Sequence, residues 1–221
     1  MSKSFAVIGI GRFGTSVALT LSLMGHEVLA VDTSAAAIDS IADRVTHAIV
    51  ADATDERVLR RIGIAEFDAV VISVAADIRA SILTAMLSKE LGAKRVVAKA
   101  ADDLHAKLLI KAGADQVVQP ERDSGVRLAR SIAVDSVLDY FALTDDVSIN
   151  ELRLPYSWAG KSLVQLGIRT RYGVSVIAIK RGEKMIVAID PNSALEQGDV
   201  LVLLGSNHEL EKLASNRLIR K

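Results

Sequence analysis

The chain has 221 residues, half of them apolar, enough for one large hydrophobic core or two modest ones. Lysine plus arginine and aspartate plus glutamate number 27 each, which argues against the strong positive field that draws a protein to nucleic acid or to an anionic membrane surface. Without cysteine there are no disulfides and no thiolate metal sites. No secretory pattern opens the chain and no apolar run approaches the ~18 residues of a membrane span, so a cytoplasmic protein is expected.

An apolar run over residues 5–10 predicts the first strand, and Gly9, Gly11 and Gly14 lead from it into a helical stretch. Each glycine has a mechanical use there. One makes the sharp turn, one lets backbone N–H groups approach a phosphate, and one permits close contact of helix on strand. Arg12 and Phe13 open the helix, where the positive helix end already favours anions and a guanidinium adds a full charge; a plain surface arginine is the alternative. The second strand, 27–32, ends in Asp32, about 20 residues downstream, where a carboxylate accepts hydrogen bonds from ribose hydroxyls and repels a 2′-phosphate.

The third strand, 47–51, runs into Asp52, Ala53 and Thr54, which lie beside Asp32 and can meet an adenine rim. Asp52 or Thr54 reads equally well as the N-cap of the next helix. Further strands at 69–74, 95–99 and 116–119 alternate with Ala- and Leu-rich helices. The fold class is therefore α/β, a Rossmann-like doubly wound parallel sheet of order 3-2-1-4-5-6. Lys99 and Glu121 close the fifth and sixth strands on the ligand-binding edge. At ~4.8 Å per strand the sixth lies about 14 Å from the first, so Glu121 would meet phosphates only at an interface, with a divalent cation between the negative groups. A surface ion pair is the alternative for both residues.

After Pro120 a helix is predicted over 123–141. Its apolar residues, including Val126, Ile132, Val134, Val137 and Phe141, spread over about 200°, which reads as a subunit contact or a crossover between lobes. From Thr144 the pattern changes to short alternating runs at 147–154, 174–180, 184–189 and 200–204, punctuated by glycines. This predicts a small α+β domain, and the division expected is 1–143 and 144–221. Gly160-Lys161-Ser162 imitates a phosphate loop, but Pro155 stands where its first glycine belongs, so a Ser-capped turn into a helix is the better reading. The four histidines, at 26, 47, 105 and 208, lack metal-site spacing. A dehydrogenase needs a proton-transfer group, yet Tyr140, Tyr156 and Tyr172 have no lysine four residues on; binding without turnover is the reading.

The run Phe5-Ala-Val-Ile-Gly-Ile-Gly-Arg-Phe-Gly14, the Asp32 strand, Gly113-Ala114-Asp115, Pro120-Glu-Arg-Asp123 and Gly160-Lys-Ser-Leu163 together resemble the cytosolic regulatory subunit of Ktr/Trk-type potassium uptake systems. The resemblance covers essentially the whole chain. It implies an RCK (KTN) nucleotide-binding domain with a crossover helix, followed by a small TrkA-C domain. It further implies a homodimer assembling to an octameric ring beneath an integral-membrane potassium-translocating subunit of the KtrB/TrkH kind, gated by ATP and ADP. By the same resemblance the loop Gly9 to Gly14 holds phosphates, Asp32 the ribose and Asp52 to Thr54 the adenine side. Arg12 reaches the terminal phosphate across the dimer, and Glu121 a bridging cation. Asp52 departs from relatives that carry asparagine there. In the second domain Val164, Ile168, Arg169, Val174 and Pro191 match positions that bind cyclic di-AMP between two copies in some relatives, a structural dimer patch being the alternative. The rival functions are an NAD/NADH sensor of the Trk branch and, from another class, a small NAD-dependent oxidoreductase.

Overall fold

The alternation of β-branched runs with capped helices builds a parallel sheet in the computed structural model, which describes residues 2–74, 77–133, 137–144 and 146–215. The elements up to Pro120 are β1 (Ser4–Ile8), α1 (Arg12–Leu23), β2 (Glu27–Asp32), α2 (Ala35–Asp39), β3 (His47–Val50) and α3 (Glu56–Arg61). They continue with β4 (Ala69–Ile72), α4 (Ile78–Glu90), β5 (Val96–Lys99), α5 (Asp103–Lys111) and β6 (Gln116–Val118). The strands lie in the order β3-β2-β1-β4-β5-β6, every neighbouring pair parallel. Because side chains alternate across a strand, β1 sends Ala6 and Ile8 to one face, where Leu59, Ala85 and Leu109 of α3 to α5 cover them. Val7 goes to the other face, with Ala18 of α1 and Ile38 of α2. A sheet buried on both faces explains why its strands read as continuous apolar runs.

Helices α2 to α5 each begin on a side-chain cap, from Ser34, Asp55, Asp77 and Asp102. The cap of α3 is thus Asp55, which corrects the reading of Asp52 or Thr54 as that cap. The Gly113-Ala114-Asp115 turn has a structural use. Asp115 accepts from the Val96 N–H at 2.6 Å and from Lys89 Nζ at 3.0 Å, pinning the start of β5 to the turn before β6.

From Glu121 onward a second compact unit begins. Its elements are α6 (Pro120–Ala133), β7 (Val137–Ala142), β8 (Val147–Arg153), α7 (Leu163–Leu166), α8 (Ile168–Tyr172), β9 (Ser175–Arg181), β10 (Lys184–Ile186), β11 (Val200–Ser206) and α9 (Asn207–Ser215). The strands form an antiparallel sheet of order β10-β9-β11-β8-β7. Its core gathers Leu152, Trp158, Leu166, Ile179, Leu201, Leu203 and Leu213. Two expectations are corrected here. The helix expected to run to residue 141 ends at Ala133, and residues 137–142 pair with β8 instead; Val134 of that expected stripe lies outside the described residues. The compact units divide after Pro120, ahead of the expected boundary at 143, and β7 pairs within the second sheet. Val126, Leu128 and Ile132 of α6 are exposed. Among the described residues no helix is long and apolar enough to cross a membrane.

Candidate functional site

The glycine loop between β1 and α1 separates three mechanical demands. Gly9 has φ +91°, a left-handed conformation, and a Cβ there would come within about 3.0 Å of the Ser73 and Val74 backbone. Gly14 lies against the loop itself, since its Cβ would fall 1.9 Å from the Gly9 carbonyl oxygen. Gly11 is the opposite case: a Cβ there would meet nothing within 4 Å. Two glycines are required by the protein's own packing, and the third leaves open space.

That space lies at the amino end of α1. Unlike α2 to α5, this 12-residue helix starts on Gly11 without a side-chain cap. The first N–H groups of a helix lack intrahelical acceptors and sit at the positive end of the helix dipole, so an anion is their natural partner.

Around it the carboxyl ends of β1, β2, β3, β4 and β5 enclose a cavity of about 540 Å³, within the ~300–1,000 Å³ of small-molecule sites. Gly9, Gly11, Asp32, Asp52, Ala53, Thr54 and Lys99 all line it, so the structure brings these sequence-predicted residues together. Asp32 Oδ2 accepts from the Ile10 N–H at 2.6 Å and Oδ1 from the Ser34 N–H at 2.8 Å. Asp52 Oδ1 accepts from the Thr54 N–H at 2.9 Å and from its hydroxyl at 2.7 Å, which sets the turn out of β3. Lys99 Nζ sits 5.9 Å from the ring centroid of Phe13, a cation–π contact that spans from β5 to the first turn of α1.

Asp32 ends β2 and Asp52 follows β3, while Lys99 ends β5 beyond β1 and β4; the third carboxylate of the lining, Asp77, is taken up by the α4 amides, so a ligand bearing hydroxyls toward β2 and β3 and negative charge toward Lys99 suits the arrangement.

Ser73, Val74, Asp77 and Thr84 also line the cavity, and sequence reasoning missed them. The signal was available, because the order 3-2-1-4 sets the end of β4 beside the glycine loop at the point where strand order reverses. Asp77 uses its carboxylate on the Arg79 and Ala80 N–H groups as the α4 cap.

Other expected residues lie elsewhere. Arg12 is exposed at the first position of α1, and Glu121 is exposed in the first turn of α6; neither lines the cavity. No cluster of three or more metal-ligating side chains occurs among the described residues. In the second unit Val164 is exposed, its N–H donating to the Pro191 carbonyl at 3.1 Å, and Arg169 is exposed on α8. Ile168 and Val174 are 3% and 0% exposed within the core, so they offer no accessible wall to a base, a correction to the expected set. Ser162 makes a reciprocal capping box with Gln165, as a Ser-capped turn requires.

Comparison with known proteins adds to this geometry. The TrkA-N domain model matches residues 5–120 and the TrkA-C domain model residues 148–216. The chain is 40% identical to the Ktr system potassium uptake protein C of Bacillus subtilis (strain 168), over 100% of both chains. It is 38% identical to the Ktr system potassium uptake protein A of Vibrio alginolyticus, over 94% of each. The structure of the GsuK channel bound to NAD is similar at TM-score 0.71 and 20% identity, covering 98% of this chain and 40% of that one, a likeness of fold.

Proposed function

This chain belongs to the Ktr-type potassium uptake family built from a TrkA-N and a TrkA-C domain, and from that premise we propose that it is a nucleotide-sensing regulatory subunit of a potassium uptake system. The observation that carries the reading is the open space over Gly11 at an uncapped helix start, inside a cavity that Asp32 also lines.

In this reading the first amides of α1 take the phosphates of ATP or ADP, Lys99 adds charge to them, Asp32 accepts from the ribose hydroxyls and Asp52 to Thr54 border the adenine. Asp32 disfavours a 2′-phosphate by charge repulsion. The role is binding, with the nucleotide unconverted. Two copies face each other so that Arg12 of one reaches the terminal phosphate held by its partner, and a divalent cation beside Glu121 offsets the remaining charge. The dimers assemble to an octameric ring on the cytoplasmic side of an integral-membrane potassium subunit, and the exposed apolar residues of α6 are covered in that assembly. ATP and ADP then favour different dimer angles, because the extra phosphate changes the charge that Arg12 must meet. On the second unit, Val164, Arg169 and Pro191 are the surface residues left to a cyclic dinucleotide between two copies.

A thermal-shift comparison of ATP, ADP, NADH and cyclic di-AMP tests the reading. A ligand that binds the folded form at 100 times its Kd adds about 2.7 kcal/mol. ATP and ADP are expected to raise the transition more than NADH does. A larger rise with NADH would move the protein to the dinucleotide-sensing branch, and no rise with any of them would end the nucleotide reading.

A further inference from the structure

Ile10 stands between two glycines of the phosphate loop, and its backbone has an unusual problem. Its side chain is 5% exposed, packed in the core that α1 and α2 share with the sheet. Its amide lies past the ladders on both sides of β1: the Gly9 N–H takes the last β2 carbonyl in line, Val31 O at 2.8 Å, and Ser73 N–H takes Ile8 O at 2.7 Å. A donor left unpaired at such a position is costly. The acceptor is a side chain, Asp32 Oδ2 at 2.6 Å. The other oxygen of the same carboxylate takes the Ser34 N–H at 2.8 Å, so Asp32 is anchored on its own turn while it holds the loop.

The mechanical consequence follows from the flanking residues. Gly9 is held against Ser73 and Val74, but Gly11, where a Cβ would meet nothing within 4 Å, leaves the chain wide backbone freedom just past Ile10. The direction in which the loop presents its amides therefore depends on this tether. A carboxylate has lone pairs to spare after accepting two N–H groups, so ribose hydroxyls can join without displacing either.

We propose that Asp32 is a positioning residue for the phosphate loop: the carboxylate that reads the ribose also sets the loop for the phosphates before any ligand arrives. This rests on the nucleotide reading above. It separates from a purely ribose-accepting role because it concerns a part of the ligand that Asp32 does not touch.

The test uses the full chain, the D32N variant and three probes: ATP, inorganic tripolyphosphate, which has no ribose, and adenosine, which has no phosphate. Asparagine keeps the shape but turns one acceptor oxygen into a donor, so one of the two backbone N–H groups loses its partner. Titration calorimetry should show tripolyphosphate affinity falling tenfold or more in D32N, along with that of ATP. Hydrogen exchange of the free wild-type protein should show the Ile10 amide protected at least 100-fold relative to an open loop. In D32N that protection should drop at least tenfold while amides of β5 and β6 keep theirs. Tripolyphosphate affinity unchanged in D32N while ATP and adenosine weaken would overturn the proposal and leave Asp32 a ribose acceptor alone. An Ile10 amide that exchanges freely in the wild type would overturn it as well, without any variant. A wild-type chain that binds neither ATP nor tripolyphosphate would instead strike the nucleotide reading, and the loop role with it.

Discussion

The two units of this chain handle polar groups in opposite ways. In the first, a parallel sheet requires every crossover to begin a helix at the same edge, so helix starts, strand ends and loop amides collect there around an open cavity. In the second, an antiparallel sheet whose β7–β8 and β9–β10 connections join neighbouring strands does not gather its helix starts at one edge, and a polar cluster there closes on itself. Asp199, 1% exposed, receives Arg181 through two hydrogen bonds of 2.8 Å, and Arg181 also meets Glu196. The Glu196 N–H completes the set at 2.8 Å. Topology thus decides which unit has donors left over for a ligand.

The sharpest way to break that contrast lies inside the glycine loop. Gly14→Ala forces a methyl against the Gly9 carbonyl and should cost the first unit about 3 kcal/mol or more, read by denaturation followed by circular dichroism. Gly11→Ala should leave the same transition within about 0.5 kcal/mol yet cut ATP affinity tenfold or more. If Gly11→Ala keeps full affinity, the open space is not the phosphate seat.

In the second unit Asp199→Ala leaves Arg181 without its buried partner. Such losses run to about 3–5 kcal/mol when both charges are buried, but Arg181 is 35% exposed, so about 2–3 kcal/mol is expected. Trp158, the single tryptophan, sits in that core and reports the transition by fluorescence. An unmoved midpoint would show that the cluster contributes nothing.

The units should also part company with pH. Burial pushes the His105 imidazole below its ordinary value of 6.5, opposed more weakly by Asp102, while its Nδ1 accepts the Ala101 N–H at 3.1 Å. Below pH 6.5 the unfolded chain takes up a proton that the folded form resists, so the first unit loses stability as pH falls from there, by at most about 1.4 kcal/mol per pH unit. Burial alone would raise the Asp199 carboxyl, but the Arg181 guanidinium and the Glu196 N–H hold it below the usual range. Its contribution is therefore present above pH 3.8 and is lost only as pH falls through the lower folded value. Denaturation midpoints between pH 7 and pH 5 should drop for the first unit and stay level for Trp158; parallel curves would discard the role of His105.

Arg12→Ala, like Gly11→Ala, should change stability by no more than about 0.5 kcal/mol, since the residue is exposed. Its effect should lie in the assembly. Small-angle scattering with ATP and with ADP should give two shapes for the wild type and one for the variant, and two shapes in both would remove Arg12 from the response.

Much of this was legible in the amino acids because it rests on local chemistry. The run 27–32 is a strand from end to end, Gly9 and Gly14 have the packing uses their spacing implies, and Ser162 caps its helix. Local pattern failed where a distant partner decided. Residues 137–142 carry enough apolar character for either element, and pairing with β8 makes them a strand. Ile168 and Val174 looked available to a ligand until the second core closed over them.

What the sequence alone determined was the period of the elements up to Pro120, since backbone sterics and hydrophobic alternation act over a few neighbours, and, through the handedness of parallel crossovers, the order of that sheet. Only the tertiary structure decided that β4 and α4 add Ser73 and Asp77 to the cavity and that Asp32 tethers Ile10 across 22 positions. Those outcomes depend on which unpaired donors and acceptors meet once the sheet has assembled, and no local spacing encodes that meeting.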